Sequence, residues 1–156
     1  MKRIKKEGTV EELVGRARRL SPDARPRWGR LSARQMLCHV TDVARLVLGE
    51  IPTRPRDPAR APRAKPLSHF PMKQLVLYFL PWPHGVRGPR EAFTTPPGAL
   101  DEDVKTLGAV LSRFKECEPK DVWPPHPLFG RMSTADWDRL LYRHTNHHFR
   151  PFGRTN

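Results

Sequence analysis

The segment from Trp137 to Arg150 predicts an amphipathic helix that carries histidines on its apolar face. In a helix of about 3.6 residues per turn, residues three and four positions apart share a face. The residues that share one face here are Trp137, Leu140, Leu141, His144 and His148. The apolar seam therefore runs directly into two imidazoles, which the fold has to accommodate on the inner side of this helix.

His144 and His148 have the spacing of two ligands of one transition-metal ion. Two histidines four residues apart on a helix reproduce the geometry of the H-E-x-x-H zinc motif, although the glutamate of that motif is absent here. Two ligands are too few for a stable site. A third ligand is therefore expected on another element that reaches the same seam.

His39 is the best candidate for the third ligand. It lies inside a second apolar stripe at helical spacing, formed by Met36, Val40, Val43, Leu46 and Val47. This pattern predicts a helix with His39 on its inner face. The alternative for a single histidine in such a stripe is a hydrogen-bonded core residue without a metal. Taken together, the three histidines favour a metal site with His39, His144 and His148 as ligands.

Two further residues are candidates for a supporting role at this site. Asp42 lies one helical turn beyond His39 and could accept the imidazole N–H that does not face the metal. The alternative is a surface carboxylate paired with a neighbouring arginine. His147 is offset by about 100° from His148 along the helix, so we interpret it as a supporting or surface group and not as a ligand.

Helix boundaries follow from capping patterns. Three predicted helices begin at a Ser or Thr with a polar partner three positions later: Thr9 with Glu12, Ser32 with Gln35, and Ser133 with Asp136. In such a pair, both side chains satisfy backbone N–H groups that are free at the helix start. Gly49 is placed to end the helix of His39. Helical spacing and an acidic first turn predict another long helix over Asp101 to Cys117.

Proline-rich segments separate these helices. The segment from Ile51 to Pro66 holds five prolines and five cations against one acid, which predicts an extended or mobile loop. The segment from Trp82 to Leu100 is expected to form a second loop, which could lie over one end of the helices as a lid. Between them, Pro71 to Leu80 predicts a short apolar helix that forms a hydrophobic wall. His69, His84 and His126 lie close to prolines in loops and are expected to be exposed.

The two histidine helices resemble a known superfamily. A histidine followed three residues later by an aspartate on an early helix (His39, Asp42), and a His-x-x-His-His run on the last helix, resemble the DinB or YfiT-like superfamily of metal-binding helical bundles. The run His126-Pro127-Leu128-Phe129-Gly130 and the run Ser133-Thr134-Ala135-Asp136-Trp137 are similar to a branch catalogued as a domain of unknown function. The resemblance extends from about Trp28 to Gly153. Pro151 departs from it, because that branch tends to carry a glutamine there.

The resemblance implies an all-α fold, a DinB-like four-helix bundle of the up-down-down-up type with long Pro- and Arg-rich connecting loops. It also implies a divalent transition metal (zinc, nickel or iron) on the three histidines. Three nitrogen ligands leave a position open on the ion, which is the pattern of a catalytic site. Some relatives look like hydrolases and others like thiol-dependent S-transferases. A small-molecule substrate is therefore expected, with a low-molecular-weight thiol as one candidate.

Length and charge define the competing hypothesis. The 156 residues predict one domain over residues 1–156, large enough to bury a core without disulfides. Lys and Arg number 29 against 16 Asp and Glu, a net charge of +13. Because the cations are scattered and no aromatic stacking platform accompanies them, we favour a solvated basic surface. The alternative is a non-catalytic module that docks on nucleic acid through Ile51 to Pro66, with a structural metal or none.

The cysteines and the apolar stretches indicate where such a chain would work. Cys38 and Cys117 are too few for a disulfide scaffold and are typical of a reducing, cytoplasmic setting. The basic start, Met1 to Lys6, is not followed by an apolar run, so no signal peptide is expected. The longest apolar stretch is too short to span a bilayer, and no membrane partner is expected. The sequence leaves a homodimer open.

The charge hypothesis predicts weak binding to nucleic acid. If the +13 charge is only solvated surface, association with duplex DNA at physiological salt should be weak and without sequence preference. The variant in which Arg54, Arg56, Arg60 and Arg63 are all replaced by Gln should retain the fold and metal binding. Fluorescence anisotropy over a salt series measures this. Tight binding that this variant loses would rank the nucleic-acid module first.

Overall fold

The chain folds as an arrangement of helices around one core. The computed structural model describes residues 2–52, 71–82, 88–118, 123–126 and 129–153. Its α-helices are α1 (Thr9–Arg18), α2 (Ala33–Leu48), α3 (Met72–Gln74), α4 (Leu100–Glu116) and α5 (Thr134–Phe149). Within the described ranges there is no strand, only an isolated bridge between His126 and Gly130. The expected all-α class is therefore confirmed.

The four long helices pack so that α2 and α5 lie against each other. Contacts join α2 to α4 and α5, and join α1 to the same two helices. Each long helix places leucines in the shared core, and these are almost completely buried: Leu13, Leu37, Leu107, Leu111 and Leu140. Burial of one such side chain stabilises the fold by about 1.5–3 kcal/mol. None of the described helices has the length and apolar character needed to cross a bilayer.

The predicted caps of α2 and α5 are confirmed. The Ser32 hydroxyl accepts from the Gln35 N–H at 3.2 Å, and the Gln35 side chain accepts from the Ser32 N–H at 3.0 Å. Ser133 and Asp136 form the same reciprocal pair at the start of α5. Gly49 ends α2 with φ 83°, a left-handed conformation that glycine adopts without steric cost.

The predicted cap of α1 is wrong. The residue that precedes the helix is Gly8, with φ 75° and without a side-chain cap, and Thr9 is the first helical residue. The Thr9 side chain is buried, and the Glu12 carboxylate accepts from the Lys2 ammonium at 2.7 and 2.8 Å. Packing of Thr9 and an ion pair of Glu12 therefore replace the local capping pair.

The segment from Pro71 to Leu80 departs from the apolar wall that its sequence predicts. After α3, the chain continues as a π-helix over Leu75–Phe79, in which Leu77 is the buried residue. The side chains left exposed are Met72, Leu75, Phe79 and Leu80, with exposed fractions of 38% to 71%. Bonds from each N–H to the fifth residue before it, such as Leu80 N–H to Leu75 O at 2.8 Å, widen the turn and break the 3.6-residue stripe.

The two predicted loops are described only in part. Residues 53–66 of the Ile51 to Pro66 loop and residues 83–87 of the Trp82 to Leu100 loop lie outside the described residues. In the second loop, a 3₁₀ turn over Arg90–Phe93 packs against α2, and the side chain of Ala92 is fully buried there. This turn brings backbone groups of the loop onto the face of α2 that carries His39.

The cap of α5 provides a test of the fold. Ser133→Ala removes the acceptor for the Asp136 N–H and should lower the free energy of unfolding by about 1 kcal/mol. Ser112→Ala, inside α4, is the matched control and should change it by only a few tenths of a kcal/mol. Urea unfolding followed by circular dichroism measures both. Equal effects of the two substitutions would contradict the capping role.

Candidate metal centre

The three predicted histidines converge between α2 and α5. His39 comes from α2, and His144 and His148 come from successive turns of α5. One ring nitrogen from each lies within 4.8 Å of the other two. The ring centroid of His39 is 5.0 Å from that of His144 and 4.6 Å from that of His148. The packing of the two helices therefore brings together three imidazoles that are far apart in the sequence, close enough to hold a metal ion.

The hydrogen bond of His39 fixes which nitrogen is available. Its Nδ1 lies 2.9 Å from the carbonyl oxygen of Ala92. A carbonyl oxygen only accepts, so Nδ1 carries the proton and Nε2 keeps its lone pair. Burial lowers the pKa of His39, which keeps the ring neutral at neutral pH. A neutral ring with a free Nε2 is the form that binds a metal.

His144 and His148 are also held in the neutral form. Burial, followed by the neighbouring imidazoles, lowers the pKa of His148 to about 3 and moves that of His144 well below its ordinary value. The Nδ1 atom of His144 is buried and has no hydrogen-bond partner among the described residues. Leaving such an atom unsatisfied costs about 1–3 kcal/mol. A metal ion bound by this nitrogen would remove that cost.

Aromatic side chains that no sequence motif marks lie around the imidazoles. Phe93 stacks on His39, with ring centroids 4.3 Å apart and an angle of 14° between the planes, yet half of Phe93 is exposed. Trp82 lies 6.0 Å from His144. A Cβ on Gly88 would meet Phe93 at 3.4 Å and the Cε1 atom of His39 at 3.7 Å. The loop before α4 therefore covers His39 closely.

A cavity of about 300 Å³ lies beside this loop. His39, Phe93 and Cys38 line it, but neither His144 nor His148 does. Burial raises the pKa of the Cys38 thiol to about 11, and this protonated thiol is no ready metal ligand. The cavity therefore approaches the histidine group from the α2 side only.

Asp42 does not bond to His39, which corrects the sequence-based expectation. The Nδ1–H of His39 goes to Ala92, and the carboxylate of Asp42 instead accepts four hydrogen bonds from Thr94 and Thr95. Asp42 is fully buried, so it is also no surface carboxylate, although Arg45 approaches it to 3.9 Å. The donors of the neighbouring loop lie within hydrogen-bond distance of the Asp42 carboxylate, whereas the imidazole of His39 bonds elsewhere.

His147 lies outside the group of three, as its helical offset predicts. Its ring packs 5.1 Å from Trp28 and meets His148 edge-on at 5.4 Å. His126 is partly buried, contrary to expectation: its Nδ1 accepts from the Phe129 N–H at 3.2 Å, and its ring packs beside Trp137. His69 and His84 lie outside the described residues.

Pro151 follows α5 in a short 3₁₀ turn. Its side chain is buried, and its carbonyl oxygen accepts from the Arg27 N–H at 2.8 Å. This backbone bond ties the end of α5 to the segment before α2.

Comparison with known proteins identifies a family whose activity is unknown. The model of the family described as "Protein of unknown function (DUF1569)" matches residues 61–155, well over half of the chain. The match includes His144 and His148 on α5 but not His39. No curated protein and no solved structure matches the chain.

The lowered pKa values predict how pH affects the metal-free protein. Between about pH 3 and 6.5 a histidine of the unfolded chain takes up a proton that native His148 does not, so the free energy of unfolding should fall as pH decreases through this window. His148→Gln should show a shallower fall, because one such group is gone. Urea unfolding of both proteins with a chelator, at several pH values, measures the difference, and the carboxylates contribute equally to both. Identical slopes would contradict the burial of a neutral His148.

Proposed function

The chain belongs to the DUF1569 family of proteins of unknown function, and we propose that it is a divalent-metal-dependent enzyme acting on a small molecule. The metal ligands in this proposal are His39, His144 and His148. The observation that carries it is the convergence of three neutral imidazoles, one of which has a buried nitrogen that finds no hydrogen-bond partner in the described part of the chain. Neutral nitrogen donors suit zinc, nickel or iron better than magnesium or calcium.

The arrangement favours a catalytic ion over a structural one. Structural zinc sites are closed by four protein ligands, whereas three ligands leave a position for water or substrate. The helices also share a continuous apolar core that includes Leu140, Leu141 and Val40, so the fold does not depend on an ion as a zinc finger does. An ion at this position would supply Lewis-acid activation of a bound water or thiolate.

Of the two reaction types, the surroundings favour thiol transfer over hydrolysis. Hydrolysis needs a base to take a proton from water, and the carboxylate nearest His39 in the sequence, Asp42, already accepts four hydrogen bonds. A thiol is a much stronger acid than water, so on binding an ion it would release its proton to solvent without such a base. The exposed half of Phe93 and the indole of Trp82 could contact the apolar part of a small substrate.

The proposal includes the fold family and the setting. Packing of α1, α2, α4 and α5 around one core, with α2 against α5, supports a DinB-like four-helix bundle of the up-down-down-up type. Both cysteines are free, which supports a reducing, cytoplasmic setting.

The competing hypothesis, a basic nucleic-acid-binding module, is supported by the +13 charge alone. The salt series described above separates the two.

Metal removal tests the ligand assignment. Protein purified without a histidine tag should contain a divalent metal, or bind zinc or nickel, with metal–nitrogen distances of about 2.0–2.2 Å. Free ion at about 100 times its dissociation constant should add about 2.7 kcal/mol to the free energy of unfolding. A chelator should lower the melting temperature without abolishing the cooperative transition, because the core remains.

Two variants localise the ion. His148→Ala should lose most of the chelator-sensitive increment, because two nitrogens hold an ion poorly. His147→Ala is the matched control on the same helix turn and should lose little. Thermal melts of the three proteins with and without chelator measure this. If wild type and His148→Ala respond equally to the chelator, the ion is bound elsewhere and the assignment is wrong.

A further inference from the structure

Asp42 holds the loop that covers His39. Its Oδ2 atom accepts from the N–H groups of Thr94 and Thr95 at 2.7 and 2.9 Å and from the Thr94 hydroxyl at 3.0 Å. Its Oδ1 atom accepts from the Thr95 hydroxyl at 2.5 Å. Two consecutive residues thus give all their donors to one carboxylate.

This attachment is strong for physical reasons. Asp42 is completely buried, so water does not compete for its oxygens, and hydrogen bonds to a charged acceptor are about twice as strong as neutral ones. Arg45, one turn further along α2, donates to the Thr95 hydroxyl at 3.2 Å and approaches the carboxylate to 3.9 Å. The loop after Phe93 is therefore tied to the same helix that carries His39.

The other end of the same turn contacts His39. The carbonyl of Ala92, two residues before Thr94, accepts the Nδ1–H of His39 at 2.9 Å, and Phe93 stacks on the imidazole. With Thr94 and Thr95 fixed, the backbone has little freedom to move the Ala92 carbonyl away. Because a carbonyl cannot donate, the opposite tautomer of His39 would lose this hydrogen bond.

We propose that Asp42 is a positioning residue for His39, acting through Thr94, Thr95 and the carbonyl of Ala92. The inference rests on the proposed metal site and adds to it the reason why His39 presents Nε2. Asp42 fixes the loop, the loop fixes the carbonyl, and the carbonyl selects the tautomer whose Nε2 lone pair is free for an ion. In the carboxylate–histidine pairs of other metal sites, the carboxylate accepts directly from the ligating imidazole. Here the backbone of the loop lies between the carboxylate and the imidazole.

A purely structural role of Asp42 predicts something different. In that case its loss would destabilise the packing of the loop on α2, but the His39 ring would keep its proton on Nδ1. The tautomer and orientation of His39 therefore distinguish the two roles. Both can be read in the metal-free protein by ¹⁵N NMR of the histidine rings, at a pH where free histidine is neutral.

The experiment compares Asp42→Asn with a matched control. Asp138→Asn replaces another buried aspartate that accepts a backbone N–H, from Lys5 at 2.8 Å, and has an arginine 3.9 Å away, but it does not touch the loop over His39. Each protein, labelled with ¹⁵N-histidine, is studied with a chelator for the tautomer and then titrated with zinc for the affinity.

Asp42→Asn should convert His39 from one tautomer, with the proton on Nδ1, to a mixture of both. It should weaken zinc binding by about 10- to 100-fold, the range found when outer partners of metal ligands are removed. Asp138→Asn should change neither. An unchanged tautomer and unchanged zinc affinity in Asp42→Asn would overturn the inference, as would a wild-type His39 that carries its proton on Nε2.

A second pair of variants covers the case in which Asp42→Asn does not fold. Thr95→Val removes one hydroxyl donor and leaves the N–H in place, so it should shift the tautomer and the zinc affinity in the same direction by a smaller factor. Thr95→Ser, which restores the hydroxyl, should return both to the wild-type values. A Thr95→Val protein that behaves as wild type in both measurements would count against the inference.

The same measurements separate this inference from the proposed function. If the wild-type protein binds no zinc, nickel or iron, the metal-dependent function fails. The tautomer shift in Asp42→Asn still reports on the positioning role in that case. If zinc binds through the three histidines but the tautomer and affinity do not depend on Asp42, the function stands and the positioning role is wrong.

Discussion

The packing of α2 against α5 is the contact on which the site depends. Of the three imidazoles in the group, α2 offers one and α5 offers two, and α5 carries its two on a face that is otherwise apolar. The leucines and valines on either side hold the two helices at a fixed distance, and the imidazoles occupy the same interface. Burial in this interface also lowers the pKa values of the rings, so they stay neutral.

Local patterns in the sequence were enough to predict these two helices and their inner faces. Each helix start depends on a hydroxyl, at Ser32 or Ser133, and on its partner three residues later. The apolar stripe has a period of 3.6 residues. Both features involve residues within one or two helical turns, so the local sequence determines them. The same reasoning failed at Thr9, because interactions outside the first helical turn replace each half of the expected capping pair: Thr9 is buried, and Glu12 pairs with Lys2. It also failed after Pro71, because a π-helix changes the period that the prediction assumed.

The immediate surroundings of His39 were out of reach for a different reason. Its hydrogen-bond partner is the carbonyl of Ala92, a backbone group that every residue type possesses and that no sequence pattern marks. The role of Phe93 depends on where a proline- and glycine-rich loop folds back, and two of the four donors of Thr94 and Thr95 are backbone N–H groups as well. The sequence could indicate that Asp42 lies near His39, but only the folded loop shows what its oxygens bind.

The separation of His39 from His144 and His148 along the chain also bears on how the protein is made. A site built from neighbouring residues can capture an ion while the chain is still being synthesised, but here more than half of the sequence lies between the first ligand and the other two. Contacts of such long range form late, because the entropy of closing the intervening loop must be overcome first. An ion that needs all three histidines would therefore find its complete site only after these helices have packed together.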